Sequence, residues 1–279
     1  MGGLVARELA RRGIPLRAVT RSVERLPDLG GVEVALAGYD EPDMLMDALE
    51  PGDRVFMISM HEPPERRIAL HKGFIDVAAR RRVSHVVYLS FVGAGPEASF
   101  VHARSHGATE TMLAESGLPF TSVRNGMYAD EIASWFDSSG RITGTGGDGR
   151  ISLTYRPELA DAIAVLLADP THDDRRVVTI TGSESFTLAE LAAAATEVTG
   201  ATYRYDPLDR EAWIAYRRSV GRPEWSIEAG YSYYDGVRRG EADVVTDDYR
   251  ELTGKAPLSI REVIALHRDE MPLSRAADT

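Results

Sequence analysis

Two histidines and a glutamate recur at intervals of four residues, the spacing that places side chains on one face of a helix: His102, His106 and Glu110. An imidazole titrates near neutral pH and can relay a proton. We therefore predict that His106, oriented by Glu110, acts in catalysis or holds a cofactor hydroxyl. The alternative is a purely structural histidine.

The spacing His-x-x-x-His is also found in metal sites. Residues 103–105 lack the glutamate of a metalloprotease helix, and the sequence offers no evident third ligand. We therefore predict no metal.

The first residues resemble the end of a phosphate-binding loop. Gly2 and Gly3 precede a segment with helical spacing, Gly13 ends that segment, and an apolar strand follows as far as Thr20. This order is typical of the second half of a mononucleotide-binding βαβ unit, so Gly2 and Gly3 are candidate cofactor-binding residues. The alternative is a flexible terminus.

The residue after that strand bears on the choice of cofactor. Sites for NAD usually place Asp or Glu here, whereas this chain has Arg21, whose guanidinium suits a 2′-phosphate. We therefore favour NADP(H) over NAD(H). Glu24 lies close by and weakens the distinction.

A literal Gly-x-Gly-x-x-Gly occurs at 144–149, but a strand follows it at 151–155 where phosphate binding requires a helix. A glycine-rich hairpin or connecting loop explains this segment better.

Apolar strands alternate with amphipathic helices through the first half. The predicted strands are 16–20, 32–36, 54–59, 85–91 and 120–124, and the predicted helices between them are 43–49, 64–82 and 100–116. This alternation predicts an α/β protein with a doubly wound parallel sheet. Strand carboxyl ends line the ligand crevice of such a sheet, so we expect Ser59, Met60, Ser90 and Phe91 to border the cofactor. Alternatively, they are ordinary loop-entry residues.

The elements become shorter after residue 140 and are mainly helical near the end. We predict an NAD(P)-binding domain over 1–140 and a smaller α/β lobe over 141–279 that returns strands to the sheet. We expect this lobe to cover the carboxyl edge.

Composition excludes several classes of function. The net charge of −11 argues against direct nucleic-acid binding, and no apolar run approaches the roughly 20 residues that span a bilayer. Cysteine is absent, which excludes disulfides and thiolate catalysis. No signal peptide is evident, so we expect a cytoplasmic protein without membrane association.

Several segments together resemble the NmrA-like branch of the atypical short-chain dehydrogenases, and within it the type-2 quinone oxidoreductases. The segments that carry the resemblance are 18–22, 38–40, 53–59, 100–110, 116–128, 181–182 and 185–190. They extend over nearly the whole chain.

The resemblance implies a Rossmann domain that binds NADP(H), a smaller carboxyl-terminal lobe that closes a cleft, and hydride transfer to a quinone or another conjugated carbonyl compound. Asn125 would then bind cofactor and Tyr128 would be a second catalytic candidate in the cleft wall. A small-molecule substrate is the expected partner; a homodimer is one alternative for the oligomeric state, which the sequence leaves open.

Two departures from the wider superfamily leave alternatives open. The Tyr-x-x-x-Lys dyad of classical members is absent, because Ile68 and Glu251 stand four residues before Lys72 and Lys255. In the related isoflavone-reductase group, a lysine aligns with His106. The alternatives are an NADP(H)-sensing regulator without turnover and a remnant that has lost cofactor binding.

Family members carry a first strand and Thr-Gly-Ala-Thr-Gly ahead of the position that Gly2 matches. We expect either that the gene product is longer and Met1 is internal, or that cofactor binding is damaged. We favour the first.

Overall fold

The computed structural model describes residues 1–25, 32–172 and 176–273, and it has the predicted α/β architecture. The helices are α1 (Gly2–Arg11), α2 (Pro42–Ala48), α3 (Pro64–Arg81), α4 (Val101–Glu115), α5 (Arg156–Ala168), α6 (Leu188–Thr199), α7 (Arg210–Ser219), α8 (Glu224–Arg238), α9 (Asp248–Thr253) and α10 (Ile260–Leu266). The strands are β1 (Arg17–Thr20), β2 (Glu33–Leu36), β3 (Arg54–Met57), β4 (His85–Phe91), β5 (Phe120–Asn125), β6 (Met127–Tyr128), β7 (Arg141–Gly144), β8 (Arg150–Thr154), β9 (Val177–Ile180), β10 (Ser185–Thr187) and β11 (Arg204–Pro207).

A parallel sheet in the order β3-β4-β5-β9 lies at the centre of the described chain. In its register Val87 of β4 is opposite Phe56 of β3 and Thr121 of β5. β1 and β2 form a separate parallel pair, and shorter sheets have the orders β10-β8-β6 and β11-β7. The prediction of a Rossmann-like parallel sheet is thus confirmed.

Helices cover both faces of the central sheet, which is why β4 is apolar almost throughout. Val86 and Tyr88 pack in a core with Phe74 of α3, whereas Val87 and Leu89 pack in a second core with helices α1 and α5. Because the strands of the central sheet are parallel, their carboxyl ends lie at one edge. Helices α1, α3 and α4 begin at that edge.

The second half of the chain contributes to more than one core. β9 completes the parallel sheet, and α5 packs against α1 behind it. A third core consists of buried residues of α4, α6, α8 and α10 that pack around Ile142 and Phe186.

Some predicted boundaries were wrong. The predicted helix 43–49 is shifted by one residue, since α2 spans Pro42–Ala48, and a 3-10 turn over Arg268–Glu270 follows the end of α10 at Leu266. α9 and the short strands β6 and β10 were not predicted. The segment 144–149 leads into β8 as expected; β7 and β8 pair with different strands, so it is a connecting loop and not a hairpin.

None of the helices over the described ranges is long and apolar enough to cross a membrane. Residues 274–279, the end of the predicted lobe, lie outside these ranges.

Candidate functional site

The start of α1 lies beside the end of β3, where the chain continues through Ile58. A Cβ added to Gly2 would lie 2.9 Å from Cδ1 of Ile58, so glycine permits this close approach. The hydroxyl of Tyr39 lies 3.1 Å from both the amide nitrogen and the carbonyl oxygen of Ile58 and fixes the strand end. Gly2 and Gly3 are thus positioned at the carboxyl edge of the sheet.

The two residues after Ile58 differ in what they offer a ligand. The hydroxyl oxygen of Ser59 is buried near the Tyr88 hydroxyl, where it opposes the rise in the pKa of Tyr88, but it makes no well-aligned hydrogen bond among the described residues. The amide of Met60 donates to Nε2 of His71 at 3.2 Å. Ser59 therefore retains an unused polar atom, whereas the Met60 amide is already paired.

Ser90 is at the end of β4, but its hydroxyl is paired with the protein. It donates to Oε1 of Glu110 at 2.6 Å, and Arg124 holds the same carboxylate from Nε at 3.0 Å and from Nη2 at 2.5 Å. Glu110 does share a helix with His106, yet its carboxylate is bound by Arg124 and Ser90. The expectation that Glu110 orients His106 is therefore wrong.

His106 is held instead by Arg67 and Tyr88. Nη1 of Arg67 is 3.1 Å from Nε2 of His106, and the Tyr88 hydroxyl is 2.9 Å from Nδ1. A guanidinium can only donate, so Nε2 must accept, and we assign the ring proton to Nδ1, which donates to Tyr88. Burial, assisted by the charge of Arg67, lowers the pKa of His106 well below its usual range. The ring is neutral at physiological pH.

Arg67 and Tyr88 contact His106 but were not predicted from the sequence. Arg67 lies on the buried face of α3 with Leu70 and Phe74. A basic residue among the apolar positions of a helix repeat was the one sequence pattern that could have indicated it. Tyr88 is hidden in the apolar run of β4. Burial raises its pKa to about 12, so the hydroxyl stays protonated at neutral pH.

Asn125 is the last residue of β5, and Tyr128 follows it in β6. Asn125 donates from Nδ2 to the carbonyl of Gly126 at 2.6 Å, while its buried Oδ1 has no partner in the described chain. Arg156 lies 5.1 Å from the ring centroid of Tyr128, and burial raises the pKa of this tyrosine to about 12. Within the described ranges, no hydrogen bond or ring contact joins Tyr128 to His106.

A narrow cleft with a cavity volume of about 20 Å³ lies between these strand ends and α8. Its aromatic walls are Phe91, Phe100 and Tyr233. The ring centroids of Phe91 and Phe100 are 5.1 Å apart, and Phe91 stacks on His106 at 6.0 Å. Such walls suit a flat, conjugated ligand.

Arg21 is exposed and directly follows the end of β1. A Cβ on Gly38 would approach its Cδ to 3.3 Å, so the arginine passes over the loop that follows β2. The Ser22 hydroxyl donates to Glu24. The neighbouring glutamate is thus paired with Ser22.

No cluster of three or more metal-ligating side chains occurs in the described part of the chain. His102 instead packs its ring against Phe100 at 5.3 Å and Trp225 at 6.2 Å.

The chain is similar to NAD(P)H-binding proteins in sequence and in structure. A family model described as NAD(P)H-binding matches residues 1–170. Quinone oxidoreductase 2 of Escherichia coli K12 is 30% identical over 197 residues, which are 70% of this chain and 68% of that protein. The NmrA-like family domain-containing oxidoreductase flvB of Aspergillus flavus is 28% identical over 254 residues, 86% of this chain and 82% of that protein. The triphenylmethane reductase of Citrobacter sp., solved in complex with NADP(H), superposes with a TM-score of 0.85 at 27% identity over 95% of each chain.

Proposed function

This chain belongs to the NmrA-like family of NAD(P)H-binding oxidoreductases, and we propose that it uses NADPH to reduce a quinone or another conjugated carbonyl compound. The observation that carries the proposal is the aromatic cleft at the carboxyl edge of the sheet, next to Phe91. A flat acceptor stacked there would lie beside the strand ends that face the cofactor in a doubly wound sheet.

Several residues at the edge fit a dinucleotide. Gly2 and Gly3 bring the first amides of α1 to the strand ends, where a phosphate can accept from them. The unpartnered buried oxygens of Ser59 and Asn125 are polar groups for ribose or nicotinamide. The bound cofactor would supply the hydride, while the protein holds donor and acceptor in position.

We assign the 2′-phosphate of NADPH to Arg21, because its exposed guanidinium lies at the end of β1. Ser90 and Met60 shape the crevice in this proposal, since the Ser90 hydroxyl and the Met60 amide are both paired with protein groups.

The two catalytic candidates take different roles. The Nε2 lone pair of His106 is occupied by Arg67, so we propose that His106 positions Arg67 and the ring of Phe91. Tyr128 keeps its proton at neutral pH and can donate a hydrogen bond to a ligand at the sheet edge.

A regulator that senses NADPH without turnover is the second candidate. It is supported by the absence of a lysine partner for a catalytic tyrosine: Lys72 pairs with Asp76 and Lys255 with Asp161. Under either function we propose the division into 1–140 and 141–279, with the second part closing the cleft through α8.

Calorimetric titration with NADPH, followed by absorbance assays with a panel of quinones, tests the proposal. A reductase binds NADPH and consumes it only when an acceptor is added. A sensor binds NADPH but shows no acceptor-dependent loss of absorbance, and a remnant shows no binding.

A further inference from the structure

Arg67 is a buried arginine with one edge of its guanidinium unused. The residue is only 5% exposed, and Nη1 makes its hydrogen bonds, to the Ser105 hydroxyl at 3.3 Å and to His106. Nε is buried without a partner, and Nη2 has no hydrogen bond to any residue in the described ranges. These two nitrogens form the fork that binds two oxygens of a carboxylate or phosphate side by side.

The charge of Arg67 has no acidic partner among the described residues. Arg67 forms no ion pair with a carboxylate of the described chain, and Glu110 on the neighbouring helix is bound by Arg124 and Ser90. The titratable groups that face Arg67 are His71, His102, His106 and Tyr88. A buried charge without a counter-ion is costly, so a site of this kind favours an anionic ligand.

A second unpartnered atom lies on the same side of α4. Nδ1 of His102 is buried and has no hydrogen-bond partner in the described chain, and this residue is one helical turn before His106. Burial, and to a smaller extent the charge of Arg67, lowers the pKa of His102 to about 4. Its ring is therefore neutral at neutral pH. A neutral imidazole can turn an N–H toward an anion.

We propose that the Nε–Nη2 edge of Arg67, with His102 beside it, binds an oxyanion group of the substrate, either a carboxylate or a phosphate. This inference rests on the proposed reductase function, because His106 links Arg67 to the Phe91 wall of the cleft. The substrate is then a conjugated carbonyl compound with an acidic substituent, its ring on the aromatic wall and its anion at Arg67.

Calorimetry with benzoate, and with benzamide as its neutral counterpart, tests the site without requiring turnover. Benzoate should bind the wild-type protein at least about tenfold more tightly than benzamide, since only the carboxylate is charged. Arg67→Met should remove that preference. Arg66→Met is the matched control, because Arg66 is the next residue on α3, is exposed, and pairs with Asp40 and Glu62 at 3.5 Å. It should leave both affinities unchanged.

Three outcomes overturn the inference. Equal affinities for benzoate and benzamide in the wild type do so without any variant. An Arg67→Met protein that binds benzoate normally also contradicts it. If the same variant loses NADPH affinity to the same extent as benzoate affinity, the oxyanion belongs to the cofactor and not to the substrate.

Circular dichroism establishes whether Arg67→Met folds. If it does not, Arg67→Lys retains the charge without the fork and should weaken benzoate binding at least about tenfold. Unchanged affinity would refute the proposal. Because benzoate binding is measured without an acceptor, its failure is separate from a failure of quinone reduction.

Discussion

The spacing of His106 and Glu110 predicted a shared helix face but could not predict what each side chain would contact. Arg67, which forms a hydrogen bond with His106, lies 39 residues earlier in the chain. Arg124, which forms a hydrogen bond with Glu110, lies 14 residues later than Glu110. Helical periodicity is local, whereas hydrogen-bond partners are set by how α3, α4 and β5 pack. The spacing therefore did not predict the partners of His106, and its catalytic or cofactor-binding role stays a prediction.

The buried neutral histidines make stability depend on pH. The folded-state pKa is lowered to about 3 for His71 and to about 4 for His102, from 6.5 in both cases, chiefly by burial. Below pH 6.5 the unfolded chain binds protons that the folded protein does not, so the free energy of unfolding falls as pH falls toward 4. His102→Gln should reduce the loss between pH 6.5 and 4 by up to about 3 kcal/mol, at about 1.4 kcal/mol per pH unit.

Urea unfolding at a series of pH values measures this dependence. Identical slopes for wild type and His102→Gln would show that His102 is protonated in the folded protein.

Cofactor preference is tested at Arg21. Arg21→Ala should weaken NADPH binding at least about tenfold and leave NADH binding nearly unchanged, because a hydrogen bond to a charged group contributes about 1.5–3 kcal/mol. Arg7→Ala, an exposed arginine on α1, is the control for a change in net charge. Equal losses of affinity for NADPH and NADH in a calorimetric titration would contradict the assignment of the 2′-phosphate to Arg21.

At the level of elements, long periodic segments were predictable and short ones were not. β4 was predicted with its observed bounds, and α3 to within one residue, because an apolar run or a helical repeat marks the whole element. β6 has two residues and exists because it pairs with β8, which no local pattern indicates. The boundary errors therefore concentrate after Asn125, where tertiary pairing defines the elements.

The position of α4 beside the site depends on a glycine. A Cβ on Gly107 would lie 2.6 Å from the backbone nitrogen of Gly95, so alanine there must displace backbone atoms in the loop after β4. Gly107→Ala should destabilise the protein by about 1–3 kcal/mol and weaken ligand binding in the cleft.

Gly73→Ala is the matched control on α3, because its Cβ would meet only the Tyr39 carbonyl oxygen at 3.4 Å. Alanine is favoured over glycine inside a helix by up to about 1 kcal/mol, so this variant should be neutral or stabilised in thermal unfolding. A Gly107→Ala protein as stable as Gly73→Ala would contradict the close approach of α4 to this loop.

At the scale of the whole molecule, alternation of strands and helices was enough to predict the sheet and the edge that carries the site. The aromatic cleft was not predictable, because Phe91 and Tyr233 are far apart in the chain and meet only when α8 packs over α4. The unpaired Nε–Nη2 edge of Arg67 could not be predicted from the sequence either, because the burial of an arginine depends on tertiary packing. The family resemblance gave the cofactor class, and the folded chain adds a reason to expect a flat acceptor.

The most direct test is a single turnover of the full chain with stoichiometric NADPH and a simple quinone, followed by rapid-mixing absorbance. We predict that NADPH and a proton reduce the quinone to one equivalent of hydroquinone, with one equivalent of NADP⁺ formed. Tight binding of NADPH with no loss of its absorbance after quinone addition would contradict it and identify the sensor instead.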